Sequence, residues 1–180
     1  MRICLFGASS ENINEVYFEQ VENLGKMMAN RGHSMVFGGG ATGLMGAAVR
    51  GLTSCGGKSL GIAPKFFDQP GILFKECSEF IFTDTMRQRK QLMEDNSDAF
   101  IIVPGGIGTF EEFFEILTLK QLGQHNKPIA IFNVNHYYDD IANTIIKAAD
   151  EGFLNKVHLD IFKISDNAEE LLQYIEKEHL

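Results

Sequence analysis

The sequence lacks a long apolar run and has no excess of basic residues. Glycine or a charged residue interrupts each hydrophobic stretch, well short of the about 20 apolar residues that a membrane-spanning helix needs. The formal net charge is −8, which argues against the basic surface that nucleic-acid binding requires. We therefore expect neither a membrane nor a nucleic acid as a partner.

Cysteine and histidine are also too scattered for the usual disulfide and metal frameworks. The three cysteines, Cys4, Cys55 and Cys77, lie far apart without a CxxC pair, and the five histidines form no HExxH motif. Met1 leads directly into a strand-like segment, without the basic, apolar and small-residue regions of a secretory leader. These features predict reduced thiols, no metal site and a location in the cytoplasm.

The chain does contain a regular alternation of short apolar runs and amphipathic segments. With 180 residues, 44% of them hydrophobic, it is long enough to bury a core. Continuous runs such as AFIIV at 99–103 are typical of parallel strands covered on both faces. The alternation predicts one α/β domain over residues 1–180, with a Rossmann-like, doubly wound, mostly parallel sheet and helices on both faces. Predicted strands are residues 2–6, 34–37, 59–62, 79–82, 99–103, 129–132 and 161–164, and predicted helices are residues 14–30, 44–55, 86–96, 110–122, 137–151 and 168–177.

Two glycine-rich turns follow predicted strands, where ligands bind in folds of this class. The first, GGGATG at residues 38–43, fits the GxGxxG pattern of dinucleotide sites. That pattern also needs an acidic residue about 20 positions later, yet no Asp or Glu occurs between Glu22 and Asp68. Two interpretations remain open. Gly39 and Gly40 form part of a phosphate or ribose wall, or the glycines only let a helix pack closely on a strand.

The second turn, PGGIGTFEE at residues 104–112, has the features of a phosphate site. A buried strand ends before it, its glycines let the backbone approach a ligand, and we expect Thr109 to open the next helix. First-turn amides donate directly to an anion, and the helix dipole adds about 0.3 to 1 kcal/mol. Thr109 and Glu112 also spell a capping box, in which Glu112 would serve the helix and not a ligand. The glycines of this turn are Gly105, Gly106 and Gly108.

A basic segment, MRQRK at residues 86–90, begins the helix before the strand AFIIV. Met86, Arg89 and Met93 share one line along that helix, which places Arg89 among apolar neighbours while Arg87 faces elsewhere. Arg89 is therefore a candidate for a buried functional cation. The alternative is that the whole segment is an exposed basic face.

Together these segments resemble the LONELY GUY (LOG) family of cytokinin riboside 5'-monophosphate phosphoribohydrolases, whose older label is lysine decarboxylase-like. The similarity runs nearly end to end, and the combination of RK with PGGxGTxxE is highly specific, whereas a single glycine turn is not. The segments that carry it are FGASS at 6–10, GGGATGLMG at 38–46, RK at 89–90, SDAFIIVPGGIGTFEE at 97–112 and LKQLGQHNKPI at 119–129.

The resemblance implies hydrolysis of the N-glycosidic bond of an adenine-type nucleoside 5'-monophosphate to free base and ribose 5-phosphate, without a cofactor. It places the catalytic pair at Arg89 and Glu112, with Glu112 facing the ribose and stabilising its oxocarbenium-like charge. The 5'-phosphate would lie on the glycines of the second turn and on Thr109, with Lys90 and Thr118 nearby.

The chain departs from the family pattern at positions that bear on the ligand. Ile107 stands where relatives commonly carry tyrosine, and Ala8 stands where many carry a second glycine-turn residue. Residues 66–75, which we expect to line the base pocket, also match poorly. The preferred base, adenine or an N6-substituted adenine, therefore stays open.

The helix after the second turn is apolar around most of its circumference, which predicts burial on all sides. In a chain of this length that pattern indicates a subunit interface, and the family resemblance also implies a homodimer with its sites near the interface. A thick core within one chain is the alternative.

Two other function classes stay open beside the hydrolase. A nucleotide or cofactor carrier of related fold would bind without turnover. An amino-acid decarboxylase would need a Schiff-base lysine in a pyridoxal phosphate site, and no lysine in the sequence stands in a pattern typical of that site.

Overall fold

The computed structural model describes residues 1–179, and its centre is one seven-stranded sheet whose strand pairs are all parallel. The strands are β1 (Arg2–Phe6), β2 (Ser34–Phe37), β3 (Ser59–Pro64), β4 (Glu79–Thr83), β5 (Ala99–Ile102), β6 (Ile129–Phe132) and β7 (Lys163–Ser165). The helices are α1 (Glu15–Asn30), α2 (Gly43–Ser54), α3 (Met86–Asp95), α4 (Ile107–Gln121), α5 (Asp139–Asp150) and α6 (Ala168–His179). Across the sheet the order is β4-β3-β2-β1-β5-β6-β7.

The predicted fold class is confirmed, and the boundaries differ at a few places. The last strand begins at Lys163 and not at residue 161, because a 3-10 helix runs to Asp160 and pairing with β6 starts only at Lys163. Within the segment predicted to be irregular, residues 65–67 form a short 3-10 helix. The start of α4 differs in a way that affects the site and is described with it. That residues 1–180 form a single domain stays a prediction.

The sheet is buried on both faces because alternate residues along the strands point into two separate cores, one on each face. Ile3 and Leu5 point into a core covered by α1, α2 and α6, whereas Cys4 and Phe6 point into a core covered by α3, α4 and α5. The central strands therefore need apolar residues at consecutive positions, as in a doubly wound sheet, whereas the edge strands β4 and β7 are only partly buried. Within residues 1–179 no helix is both long and apolar enough to cross a bilayer.

The chain changes direction across the sheet at β1. From β1 it steps outward through β2, β3 and β4, and it then returns to the other side of β1 with β5. The loops that follow β1 and β5 therefore lead to opposite faces of the sheet and leave a crevice between them at the carboxyl ends of the strands. Ligands of doubly wound folds bind in such a crevice, and the turn at residues 104–106 borders it.

Candidate active site

The central feature of the site is a buried ion pair between α3 and α4. Arg89 Nη1 donates to Glu112 Oε1 over 2.7 Å, and only 7% of the arginine and 11% of the glutamate side chain is exposed. The two residues predicted to form the catalytic pair are thus brought together. Burying two charges is costly, and exchange for apolar residues is often neutral or stabilising, so stability alone does not explain the pair.

The first glycine turn makes room for the Arg89 guanidinium. A Cβ built on Gly38 would lie 2.1 Å from Arg89 Nη2, so a side chain at this position would displace the guanidinium. Arg89 Nε is buried without a hydrogen-bond partner among residues 1–179. The sequence predicts a ligand-binding role for Gly39 and Gly40, whereas Gly38 is the glycine that meets Arg89. No spacing rule shows which glycine will meet an arginine 51 positions away.

Helix α3 holds Arg89 in place through its first turn. Thr85 caps the helix by accepting from the Gln88 amide, and the Gln88 side chain accepts from the Thr85 amide in return. Arg89 and Met93 are buried, as their shared helical line predicts, whereas Met86 is exposed. The alternative of a wholly exposed basic face is therefore wrong for Arg89.

Burial dominates the electrostatics of Glu112. Loss of solvent raises the pKa of its carboxyl, and the charge and hydrogen bond of Arg89 oppose this shift without cancelling it. Among the described residues Arg89 is the only hydrogen-bond donor to the Glu112 side chain. A carboxylate with a raised pKa in a concave site is a candidate general base.

The capping-box interpretation of Thr109 and Glu112 is wrong. Helix α4 begins at Ile107 with Gly106 as N-cap, and no side chain caps it. Thr109 therefore lies inside the first turn, packed over Gly105, where an added Cβ would be 2.2 Å from Thr109 Oγ1. Two glycines without Cβ atoms let the helix start early. The Glu112 side chain consequently reaches Arg89 and not the Thr109 amide.

The second glycine turn ends in backbone amides that are free to donate, as an anion site requires. The amides of Gly106, Ile107 and Gly108 donate to no acceptor in the described part of the chain, and they surround the positive end of the α4 dipole. Nothing lies within 4 Å of a Cβ added to Gly106 or Gly108, so the space beside them is open. The predicted phosphate residues Gly105, Gly106, Gly108 and Thr109 all belong to this one turn.

The other predicted glycines serve the packing of the first turn. Gly39 has φ +75°, and an added Cβ would lie 2.7 Å from the Phe80 ring. Gly40 forms an antiparallel bridge with Leu73, and the Phe74 amide donates to the Gly39 carbonyl. The loop that we expect to line the base pocket thus lies directly over this turn. A substrate role for Gly39 and Gly40 stays a prediction.

Lys90 and Thr118 lie away from the glycine turn. The Lys90 amine pairs with Glu111 and Glu115 on α4, and it borders a cavity of about 310 Å³ that Glu112 also lines. Thr118 is nine positions beyond Thr109, about 13.5 Å along the helix axis, and its hydroxyl donates to the Phe114 carbonyl. Their contact with a phosphate stays a prediction.

Two tyrosines at the turn escaped the sequence prediction. Tyr17 and Tyr137 line a mainly apolar cavity of about 160 Å³ beside Gly105 and Gly106, and their rings meet edge to face at 6.2 Å. The Tyr137 hydroxyl donates to the Gly105 carbonyl at 2.7 Å. Tyr17 lies one turn into a predicted helix, and Tyr137 follows a predicted strand. Both positions are close to where ligands bind in this fold class, so the sequence did carry a signal for them. Within residues 1–179, no three His, Cys, Asp or Glu side chains cluster to hold a metal.

Comparison with known proteins identifies the family. Residues 45–175 match the family model described as possible lysine decarboxylase. The chain is 40% identical over 176 residues to the cytokinin riboside 5'-monophosphate phosphoribohydrolase LOG2 of Arabidopsis thaliana. The matched region covers 98% of this chain and 83% of that protein. The probable phosphoribohydrolase LOGL3 of Oryza sativa subsp. japonica is 36% identical, with 98% and 83% covered. The chain belongs to the LOG family.

A more distant solved structure shares the fold. The molybdenum cofactor carrier protein of Chlamydomonas reinhardtii has a TM-score of 0.74 at 20% identity, covering 98% of this chain and 96% of that one. Such a likeness shows the fold alone. The LOG-like segments RK and PGGIGTFEE, by contrast, are those that fold into the Arg89–Glu112 pair and the adjoining turn.

Proposed function

We propose that this LOG-family chain hydrolyses the N-glycosidic bond of adenine-type nucleoside 5'-monophosphates, releasing the free base and ribose 5-phosphate. The observation that carries the proposal is the position of the buried Glu112 carboxylate. It lies one helical turn from amides that can bind an anion, on the same helix, and it is held by Arg89. A phosphate and a reacting sugar carbon of one nucleotide have a comparable separation.

In the proposed reaction a water oxygen bonds to the ribose C1' carbon as the bond from C1' to the base nitrogen breaks. The base leaves with the bonding electrons and takes up a proton, and the sugar passes through an oxocarbenium-like state. Glu112 stabilises that positive charge and accepts the proton of the attacking water. Its raised pKa makes it a stronger base than an exposed glutamate.

The phosphate supplies binding energy away from the reacting carbon. Amides at the start of α4 hold it together with the helix dipole, and this energy orients C1' toward Glu112. Arg89 keeps the Glu112 carboxylate in one orientation through its planar set of donors. Removing the phosphate should therefore reduce kcat/KM far more than removing a substituent on the base.

The substrate panel follows from the family. The relatives named above act on cytokinin riboside 5'-monophosphate, and we propose that this chain accepts AMP or an N6-substituted AMP. Incubation with AMP, N6-isopentenyl-AMP, GMP, CMP and adenosine, followed by chromatography of the released base, tests both the reaction and the base. Release of base from adenosine at the same rate as from AMP would overturn the phosphate-dependent mechanism.

The alternative functions have less support. A carrier would bind the nucleotide without releasing base, so the same panel separates it from the enzyme. A pyridoxal phosphate decarboxylase needs a lysine that loses its proton readily. Lys90, which lines the same cavity as Glu112, is not such a lysine: burial alone would lower its pKa, but Glu111 and Glu115 outweigh it and the pKa is raised.

We propose further that the protein is a homodimer built on α4. Phe113 and Ile116 are buried in the single chain, whereas Phe114 and Leu122 are exposed on the helix and just beyond it. The alternative, a thick core within one chain that buries the helix on all sides, is therefore wrong. A second copy would cover the exposed apolar side chains, and the Ile107 side chain, 87% exposed at the start of α4, extends that surface toward the glycine turn.

The proposed location is the cytoplasm. None of Cys4, Cys55 and Cys77 is in a disulfide, which agrees with a reducing compartment. Cell fractionation followed by immunoblotting tests this location, and recovery of the protein outside the cytoplasmic fraction would contradict it.

A further inference from the structure

Three successive carbonyls of the turn between β5 and α4 are each held by a donor from another part of the chain. Val103 O accepts from the Tyr138 hydroxyl at 2.9 Å, Pro104 O from the Ala8 amide at 3.0 Å, and Gly105 O from the Tyr137 hydroxyl at 2.7 Å. The turn is thus fixed at three consecutive peptide planes.

The Gly105 contact differs from the Val103 contact in its effect on the anion site. In a planar trans peptide the carbonyl and the following N–H point in opposite directions. A hydroxyl that holds the Gly105 carbonyl therefore directs the Gly106 N–H away from Tyr137. The carbonyl of Val103 precedes Pro104, which has no N–H, so holding it orients no donor.

A strained segment places the two tyrosines. Asn135 and His136 have φ angles of +52° and +59°, which residues other than glycine seldom adopt. The neighbouring rings of Tyr137 and Tyr138 stand nearly perpendicular, at 89°, with centroids 5.0 Å apart. This arrangement lets adjacent residues reach two carbonyls two positions apart. Tyr138 is fully buried, whereas 42% of Tyr137 is exposed, so its hydroxyl sits at the edge of the site.

We propose that Tyr137 is a positioning residue for phosphate recognition: its hydroxyl holds the Gly105–Gly106 peptide in the orientation that presents the Gly106 amide to a phosphoryl group. The proposal rests on the proposed function for the identity of the ligand. It does not require Tyr137 to contact the substrate. The role is separable from stability because Tyr138 makes a similar bond that orients no amide.

The test compares Tyr137→Phe with the matched control Tyr138→Phe. Calorimetry measures the dissociation constants of ribose 5-phosphate and adenosine, and steady-state kinetics with AMP gives KM and kcat. One lost neutral hydrogen bond predicts that Tyr137→Phe raises the ribose 5-phosphate Kd and the AMP KM by roughly 3- to 10-fold. Adenosine binding should change less than about 2-fold, because the Gly105–Gly106 peptide contacts only the phosphate. Tyr138→Phe should lower Tm while the ribose 5-phosphate Kd stays near that of the wild type.

A second control, Tyr17→Phe, removes a hydroxyl from the same cavity that, over the described range 1–179, makes no hydrogen bond to the turn and accepts only from Asn135 at 3.5 Å, and it should change the Kd less than Tyr137→Phe does. The inference is overturned if Tyr137→Phe binds ribose 5-phosphate like the wild type, if it weakens adenosine equally, or if Tyr138→Phe weakens phosphate binding as much. The proposed function is tested separately. If the wild type binds ribose 5-phosphate but releases no base from any nucleotide, hydrolysis is wrong, while the calorimetric comparison still decides the role of Tyr137.

Discussion

Arg89 of α3 and Glu112 of α4 form a 2.7 Å ion pair that is almost closed to solvent. The guanidinium lies against Gly38 at the end of β2, so three separate segments meet at this pair. Because Glu112 has no capping role, its place in the chain is not explained by the helix that carries it.

The pair predicts a displaced acidic limb in the pH dependence of kcat/KM. Glu112 must be ionised to act, and burial raises its pKa, so activity should fall at a higher pH than an exposed glutamate would give. Arg89→Met removes the charge and hydrogen bond that oppose this shift, so the limb should move further upward. Initial rates with AMP between pH 4 and 9 measure it. An acidic limb at or below the ordinary range of glutamate would contradict the assignment.

The same shift predicts how stability varies with pH in the Arg89→Met variant. A carboxyl whose pKa is raised in the folded state binds protons more readily there than in the unfolded chain. Its contribution to stability is full below the unfolded pKa and is lost as pH rises through the folded pKa. With Arg89 absent this loss grows, and we expect the variant to be destabilised by about 3 kcal/mol near neutral pH and less in mild acid. Urea unfolding at several pH values measures it, and a pH-independent difference would oppose this account.

Two glycine substitutions should affect kcat differently. Gly38→Ala places a Cβ 2.1 Å from Arg89 Nη2, so kcat should fall roughly tenfold or more, and Tm should fall by no more than in Arg89→Met because the ion pair is displaced and not removed. Gly51→Ala places its Cβ 2.0 Å from the Glu22 carbonyl, between α2 and α1. That variant should lower Tm and leave kcat of the folded protein intact. Thermal denaturation and AMP kinetics on both variants measure the contrast, and equal losses of activity would refute it.

The backbone strain at Asn135 and His136, just before Tyr137 and Tyr138, should be removable by substitution. His136 has φ +59°, and a left-handed residue of this kind costs about 1 kcal/mol or more, part of which glycine recovers. His136→Gly should therefore raise Tm by about 1 to 3 °C. Asn135→Gly should gain less because asparagine tolerates this conformation better. Differential scanning calorimetry is the measurement. A lower Tm for His136→Gly would mean that the contact of His136 with Asp139 outweighs the strain.

The proposed dimer predicts different effects for two exposed phenylalanines. Phe114→Asp places a charge on the exposed face of α4 and should yield a monomer, whereas Phe153→Asp, at an 86% exposed position outside α4, should not. Light scattering after gel filtration at several concentrations distinguishes the two states. A wild type that is monomeric at every concentration would remove the basis of this prediction.

The fold was predictable because its signals are local. Strands buried on both faces need continuous apolar residues such as AFIIV, and the helical segments that connect them as right-handed crossovers give a parallel, doubly wound arrangement. The burial of Arg89 was predictable because Arg89 and Met93 lie on the same side of one helix. Its pairing with Glu112 was predictable because the segments RK and PGGIGTFEE resemble those of the LOG family. Both signals are readable without knowledge of packing.

The remaining site features depend on contacts between distant segments. Gly38 matters only because Arg89 is folded onto it, and Tyr137 only because its hydroxyl reaches Gly105 across 32 positions. The start of α4 was misjudged because a Thr-x-x-Glu pattern has the same letters whether threonine caps the helix or lies within its first turn. Only the backbone geometry separates these cases.

The central claim is that Glu112 acts on the ribosyl bond. The most direct measurement is the release of adenine from AMP by the wild type and by Glu112→Gln, with Tm recorded for both. Gln keeps the volume and an acceptor for Arg89 but loses the charge. The account predicts that kcat falls about 10²- to 10⁴-fold while Tm stays within a few degrees. Near-normal release of adenine by Glu112→Gln would contradict it.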